Sequence, residues 1–182
     1  MGVDTHAIID HRVTDYDNID SMVKLLANSV PAGLAIEQYW ASVDLENFRP
    51  EAKPWSPAPH YSSDNLDYVG PGGLLVAFGP RAMLIIASAR WSGFLTIKPL
   101  RDVHLAAFRS IADCAQGTRL LLLPDVSDAG FDAIDEALSV DECVERLHQE
   151  YGPPQPSVEA ISPDAFTEQK PGSHRVWFSE EL

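Results

Sequence analysis

Four side chains that can bind a metal ion or transfer a proton lie close together at the start of the chain: Asp4, His6, Asp10 and His11. In an extended strand successive side chains alternate between the two faces, so the first three share one side and His11 points to the other. Asp4 and Asp10 would then be about 20 Å apart, which is too far for both to bind one ion. We therefore expect these residues to form hydrogen bonds at the edge of a sheet. The alternative is a metal-dependent or acid/base hydrolase that uses His6, Asp10 and His11, with His6 and Asp10 as metal ligands.

Other sequence patterns of catalysis are missing. The chain contains no Gly-x-Ser-x-Gly, His-x-His or His-Glu-x-x-His segment. The run 70–73, Gly-Pro-Gly-Gly, lacks the Gly-Lys-Ser/Thr ending of a phosphate-binding loop and precedes a strand, so we predict a turn there. Cys114 and Cys143 lie on apolar helix stripes, which is typical of buried, unreactive thiols. The sequence favours a protein that is not an enzyme and predicts no cofactor.

The negative charge is large and concentrated in one segment. The chain of 182 residues has a formal net charge of −14. Residues 125–150 hold nine acidic residues and one arginine, whereas residues 21–124 hold eight acidic and nine basic residues. Such a chain is poorly suited to bind nucleic acid, whose phosphates are neutralised by lysine and arginine. A basic protein is the partner that this charge distribution favours.

The acidic segment ends in a helix with a clear start signal. Ser139 and Glu142 have the spacing of a capping box, and Val140, Val144 and Leu147 follow on one apolar stripe. The carboxylates opposite that stripe form either a solvated helix face or a docking surface for a basic partner. The candidate binding residues of this surface are Asp132, Asp135, Glu136, Asp141, Glu142 and Glu145.

A proline-rich stretch from about 46 to 73 predicts a long loop. Its prolines cannot lie inside a helix or a central strand, and loops of this length are uncommon in compact domains unless they are functional. Trp55 either packs on the core or forms an exposed aromatic anchor. We include Trp55 among the candidate binding residues.

The hydrophobic periodicity predicts the remaining elements. A first strand spans 5–13, and a helix follows a Thr14/Asp17 capping pair and ends near Asn28. Residues 34–45 fit a strand better than a short helix. We further predict a hairpin of 74–78 with 82–89 that continues to 97, a helix over 100–116, a strand over 118–123, helical turns over 131–138 and 139–151, and an edge strand over 175–179.

Together these elements predict an α+β fold in a single domain, 1–182. We expect one antiparallel or mixed sheet of about five strands packed against three to four helices, with the 46–73 loop and an irregular C-terminal arm over 152–182. The longest uncharged apolar run of the hairpin region, Ala82–Ala89, is eight residues long, against about 20 needed to span a bilayer. No basic segment followed by an apolar stretch opens the chain. We therefore expect no membrane span and a cytoplasmic protein.

The function that these observations favour is a non-enzymatic acidic binding protein. An immunity or inhibitor protein that neutralises a basic partner such as a toxin has this character, because complementary charge accelerates association. The hydrolase built on His6, Asp10 and His11 is one alternative. A sensor or regulatory domain that binds a small ligand is the other.

Overall fold

The computed structural model describes residues 3–43, 54–58, 67–125, 127–157 and 176–182. These residues form one sheet of seven strands in the order β2-β3-β4-β5-β1-β6-β7, and all neighbouring strands are antiparallel. The elements are β1 (Asp4–Asp10), α1 (Ile19–Leu26), α2 (Val30–Ser42), β2 (Ser56–Pro57), β3 (Asp67–Val69), β4 (Leu75–Phe78), β5 (Ala82–Arg90), α3 (Trp91–Thr96), α4 (Lys98–Ala115), β6 (Arg119–Pro124), α5 (Ala129–Asp135), α6 (Val140–Tyr151) and β7 (Phe178–Glu181).

Strand β1 lies inside the sheet and is buried on both faces. It pairs with β5 on one side and with β6 on the other. Ala7 and Ile9 point into one hydrophobic cluster, which contains buried residues of α1, α2, α3 and α4. Ile8 points into a second cluster, which contains buried residues of α5 and α6. The sheet therefore separates two helical layers, as expected for an α+β domain.

Most of the predicted elements are confirmed. The first strand, the hairpin of β4 and β5, the helices α4, α5 and α6, the strand β6 and the turn over 70–73 are all present. The last strand pairs at the edge of the sheet and begins at Phe178. The sheet is wider than the five strands predicted, because β2 and β3 extend it beyond β4.

Two predicted strands are helices instead. The sequence predicts a strand over 34–45, but the helix α2 spans Val30–Ser42 with Pro31 in its first turn. Its Glu37 carboxylate accepts a hydrogen bond of 2.9 Å from the backbone N–H of Gly72, which fixes the helix against the 71–73 turn. The expected continuation of β5 to residue 97 is also wrong, because the chain turns into α3 at Trp91. The helical conformation of α2 is therefore supported by a contact with a distant segment.

The start of the first helix also differs from the prediction. Asn18, and not Thr14, caps α1, since its side chain accepts a hydrogen bond from the Ser21 N–H at 3.2 Å. Within the described ranges, the stretch Ile19–Ser42 is long and apolar enough to cross a membrane by length and composition. A short 3-10 turn, Ala27–Ser29, interrupts it. Met22, Leu26 and Ile36 of this stretch pack in the core, so its composition alone is weak evidence for a span.

Helix α2 has a close contact that constrains one glycine. A Cβ atom on Gly33 would lie 2.5 Å from the ring of Pro71 and 3.2 Å from its carbonyl oxygen. In α3, a Cβ atom on Gly93 would meet only side-chain atoms, the nearest being Leu100 Cδ2 at 3.3 Å. An added methyl group would therefore clash with Pro71 at Gly33 but would meet only side-chain atoms at Gly93. Alanine has a higher helix propensity than glycine at both positions.

We expect Gly33→Ala to lower the free energy of unfolding by about 1–3 kcal/mol, because the added methyl group must displace Pro71. Gly93→Ala is the matched control, and its stability should be unchanged or higher by up to about 1 kcal/mol. Urea unfolding followed by tryptophan fluorescence measures both changes. A Gly33→Ala variant as stable as the parent would contradict the contact between α2 and the 71–73 turn.

Strand β3 contains a carboxylate with little access to water. Asp67 is 9% exposed. Burial and the nearby Asp135 raise the pKa of Asp67 above its ordinary value. The folded chain therefore holds this proton more tightly than the unfolded chain. Consequently, this group favours folding most at low pH, and its contribution is lost as the pH rises from its unfolded pKa of about 3.9 through the raised value.

We expect Asp67→Asn to become more stable relative to the parent as the pH rises from about 4 to about 7, because asparagine does not ionise. Urea midpoints at both pH values measure the difference. Asp15→Asn removes an exposed carboxylate and should show no comparable trend. If the difference in urea midpoint between Asp67→Asn and the parent is the same at both pH values, the inference that the pKa of Asp67 is raised is wrong.

Candidate functional site

Helix α6 turns its carboxylates outward because its start and its apolar stripe fix its orientation. Ser139 Oγ accepts the Glu142 N–H at 3.3 Å, and Glu142 Oε2 accepts the Ser139 N–H at 2.7 Å, which confirms the predicted capping box. Val140, Cys143 and Leu147 are buried in the second hydrophobic cluster. The hydrogen bonds from Ser139, helped by Arg81, hold the pKa of Glu142 below its ordinary value. This carboxylate therefore stays charged at neutral pH.

Three arginines hold part of the acidic segment in place. Arg81, in the β4–β5 turn, pairs with Glu142 at 2.7 Å. Arg119, at the start of β6, pairs with Asp141 at 2.9 Å. Arg146 of α6 bridges to α5, where it binds two carboxylates. The two carboxylates belong to Asp132 and Glu136, and Arg146 Nη2 lies 2.8 Å from Glu136 Oε2. Exposed ion pairs add little stability, so their effect here is mainly to fix the positions of the carboxylates.

The negative charge remains in excess after these pairs are formed. We call the nine carboxylates of residues 125–150 the acidic surface. Three arginines of the described residues pair with four of them, so the nine carboxylates outnumber these arginines by six. Asp125, Asp128, Glu145 and Glu150 form no ion pair with the described residues. The acidic surface is therefore partly braced and still strongly negative.

An aromatic ring is exposed within the acidic surface. Phe131 of α5 is 44% exposed, whereas Ile134, which follows it at helical spacing, is buried. Asp128 and Asp135 lie three residues before it and four after it, on the same helix face. Sequence analysis missed this ring, because Ala129, Gly130 and Ala133 are the α5 residues that contact the sheet side. Aromatic side chains are enriched in protein-binding surfaces, whose rims are polar.

His6 lies directly beneath this ring. It is buried, and its imidazole meets Phe131 edge to face with the ring centroids 5.4 Å apart. Burial lowers the pKa of His6, and the carboxylates of Asp125 and Asp4 oppose this shift only in part. Its Nδ1 has no hydrogen-bond partner among the described residues. His6 is therefore uncharged at neutral pH and contacts Phe131 as a neutral imidazole.

Asp10 and His11 have other partners, away from His6. The Asp10 carboxylate accepts hydrogen bonds of 2.7 Å from the N–H and hydroxyl groups of Thr118 and from the N–H of Arg119. His11 Nε2 donates to the Gly79 carbonyl at 2.8 Å, and its Nδ1 accepts the Val13 N–H at 3.2 Å. Both residues therefore join segments of the fold at the end of β1. That strand is interior, so the expected edge position is wrong.

The structure does not bring the candidate hydrolase residues together. His6 faces α5, whereas the His11 ring packs against Phe78 of the other hydrophobic cluster, with the centroids 5.6 Å apart. The side chains therefore alternate between the two faces of the sheet along β1, as the sequence predicts. The part of the chain that the structure describes contains no group of three His, Cys, Asp or Glu side chains placed to bind a metal ion. His6 and Asp10 do not form a metal site with each other.

Trp55 is a core residue. It is 3% exposed, and its Nε1 donates to Ser29 Oγ at 3.1 Å. Its ring lies against Gly70, where a Cβ atom would be only 2.4 Å from the indole. The proposal of Trp55 as an exposed binding anchor is therefore wrong, because the ring fills space between α1 and the 70–73 turn. Residues 46–53 and 59–66 of the predicted loop lie outside the described residues.

Neither cysteine has the environment of a reactive thiol. Cys143 is buried in α6, and burial raises its pKa to about 11. Cys114 is half-buried, and burial together with Asp113 raises its pKa as well. A thiol acts as a nucleophile in its thiolate form, and both shifts disfavour that form.

Comparisons of this chain with protein-family models, with curated proteins and with solved structures find no match. The function must therefore be inferred from the geometry and charge of the acidic surface.

Proposed function

We propose that this protein is a non-enzymatic binding protein whose acidic surface docks and neutralises a basic protein partner, such as a toxin. The observation that carries the proposal is the exposed Phe131 ring among carboxylates that internal arginines hold in place. An inhibitor of this kind needs complementary charge and a rigid surface rather than a catalytic centre.

Charge supports the proposal through the rate of association. The nine carboxylates of residues 125–150, six more than the arginines that pair with them, attract a basic surface over about 10 Å at ordinary ionic strength. Because Arg146 links α5 to α6, carboxylates of both helices keep their relative positions before a partner arrives. Less ordering is then needed on binding, which favours affinity.

Phe131 supports the proposal through affinity. Aromatic side chains at the centre of an interface commonly contribute most of the binding energy, while charged residues at the rim contribute specificity and association rate. His6 packs beneath the ring and Gly130 lies beside His6, so the ring rests on a rigid base. A partner with a small apolar pocket surrounded by lysines or arginines would fit this arrangement.

We expect neutralising three unpaired carboxylates, with Asp128→Asn, Glu145→Gln and Glu150→Gln together, to weaken capture of a basic partner about tenfold, at about two- to threefold for each charge. The immobilised protein is exposed to an extract of its own cells at low and at high salt, and the retained proteins are quantified by mass spectrometry. The matched control, Asp15→Asn, Asp17→Asn and Asp20→Asn, removes the same charge from exposed positions before and within α1. Equal losses of capture in the two variants, or capture that does not depend on salt, would argue against docking of the partner at the acidic surface.

We expect Phe131→Ser to weaken the same capture at least about tenfold and to leave the salt dependence unchanged, because it removes the apolar anchor and no charge. Phe131 is 44% exposed and covers His6, so the free energy of unfolding should fall by no more than about 1–2 kcal/mol and the fold should be retained. The dissociation rate of the captured partner, measured by surface plasmon resonance, should rise while the association rate stays the same. If Phe131→Ser captures the partner as well as the parent does, the Phe131 ring is not part of the proposed interface.

A further inference from the structure

A buried histidine lies between the sheet and the exposed ring of the acidic surface. His6 of β1 is 2% exposed, and Phe131 of α5 covers it. The Nδ1 atom of His6 has no hydrogen-bond partner among the described residues. A Cβ atom on Gly130 would lie only 3.0 Å from Nδ1, so the backbone of α5 packs closely against this nitrogen. This packing suits a neutral imidazole, because the protonated ring carries an N–H group at both nitrogens and a buried N–H without an acceptor is costly.

Two carboxylates near His6 favour its charged form, but burial outweighs them. Burial lowers the pKa of His6, while Asp125, which follows β6, and Asp4, on the same strand, raise it in part. Asp4 is itself paired with Arg90 of β5 at 2.7 Å. The positive charge of that arginine weakens the attraction of Asp4 for a proton on His6.

The other immediate neighbours of His6 carry no charge. Ile86 of β5 and Leu123 of β6 lie opposite it in the sheet. Gly130 and the Phe131 ring are its neighbours from α5. A positive charge on His6 would therefore be added to a mainly apolar layer.

Helix α6 packs in the same layer, and its two titratable groups there stay neutral at acid pH. Burial raises the pKa of Cys143 to about 11 and that of Tyr151 to about 12. Histidine, by contrast, has an ordinary pKa of about 6.5. His6 is thus the group of this set that gains a charge as the pH falls from about 7 to about 5.

Helix α5 is the element that a charge on His6 would displace. It is seven residues long, and the residues that it buries are Ala129, Gly130, Ala133 and Ile134. Three of these are small, so the helix buries little apolar area against the sheet. After the helix, Ala137 has a left-handed φ of 54°, which costs a residue with a Cβ atom about 1–2 kcal/mol. A short helix of this kind opens at a lower free energy than the sheet beneath it.

We propose that α5 is an acid-sensitive element of the fold: protonation of His6 separates α5 and the Phe131 ring from the sheet, while the sheet and α4 stay folded. Because the folded chain disfavours the charged imidazole, the stability that α5 gains is complete above pH about 6.5 and is lost as the pH falls below it. A partner held through Phe131 would be released by the same step. That consequence rests on the proposed function, whereas the opening of α5 does not.

The experiment is amide hydrogen exchange of the full chain at about pH 7 and about pH 5, measured by two-dimensional NMR and corrected for intrinsic exchange rates. The N–H groups of Asp132 and Glu136 donate to the carbonyls of Asp128 and Asp132 at 2.8 and 2.9 Å, so they report the opening of α5. We expect their protection to fall about tenfold between the two pH values, because the open state binds the proton on His6 more tightly. The amides of α4 should change by less than about threefold.

Two variants separate His6 from other titrating groups. His6→Leu should abolish the fall in α5, because leucine fills the site and does not ionise. His104→Leu is the matched control and should keep the fall, since His104 is also buried with a lowered pKa but packs against Phe108 in the other layer. Asp67 acts in the opposite sense, because its protonation lessens its repulsion with Asp135 of α5. The titration of the His6 ring in the parent gives a measurement that needs no variant, and its midpoint should lie below pH about 6.5.

Three results would overturn the proposal. The first is an equal loss of protection in α5 and α4, which indicates general unfolding. The second is a fall in His6→Leu as large as that in the parent. The third is a His6 ring that titrates at or above pH about 6.5 while α5 stays protected. These measurements use no partner, so the proposed function is judged separately, by capture of a basic protein at neutral pH.

Discussion

The structure depends on the two-sided burial of β1. This strand is hydrogen-bonded to β5 and β6, and its side chains Ala7, Ile8 and Ile9 are inaccessible to solvent. Because alternate residues face opposite layers, one strand anchors both hydrophobic clusters. Any slip of its register by one residue would exchange the faces and place His6 against the wrong layer. The position of His6 beneath Phe131, and hence the base of the acidic surface, follows from this register.

The small residues of α5 explain why negative charge collects on its outer side. Ala129 and Ala133 are buried, and a Cβ atom on Gly130 would lie 3.0 Å from both His6 Nδ1 and Leu84 Cδ1. The helix therefore lies close to the sheet, and its longer side chains face solvent. Mutual repulsion of the resulting carboxylates would destabilise the helix pair if it were unopposed. Arginines from the β4–β5 turn, β6 and α6 offset this repulsion. The arrangement of the carboxylates in the acidic surface therefore depends on contacts made by the tertiary fold.

The sequence predicts those elements whose signals are local. The capping box at Ser139 and the apolar stripe of α4 determine helices that form as expected. Helix α2 could not be predicted this way, because its residues are apolar on most faces and its contacts with Pro71 and Gly72 come from a distant segment. The exposure of Phe131 could not be predicted for a related reason, since it shares helical spacing with the buried Ile134. Periodicity identifies a helix face, whereas the neighbouring layer decides which face is buried.

Arg119, at the start of β6, joins the acidic surface to the sheet. Its Nη1 binds Asp141 of α6 at 2.9 Å, while its Nε donates to Ser179 Oγ of β7 at 3.0 Å. Its backbone N–H donates to Asp10 at the end of β1. One arginine thus connects α6, the edge strand and the strand on which both layers depend. Arg119 therefore fixes Asp141 of the acidic surface and Ser179 of β7 at the same time. The position of Asp141 in the acidic surface therefore depends on the pairing of β6 with β1 and β7, which sets the place of Arg119.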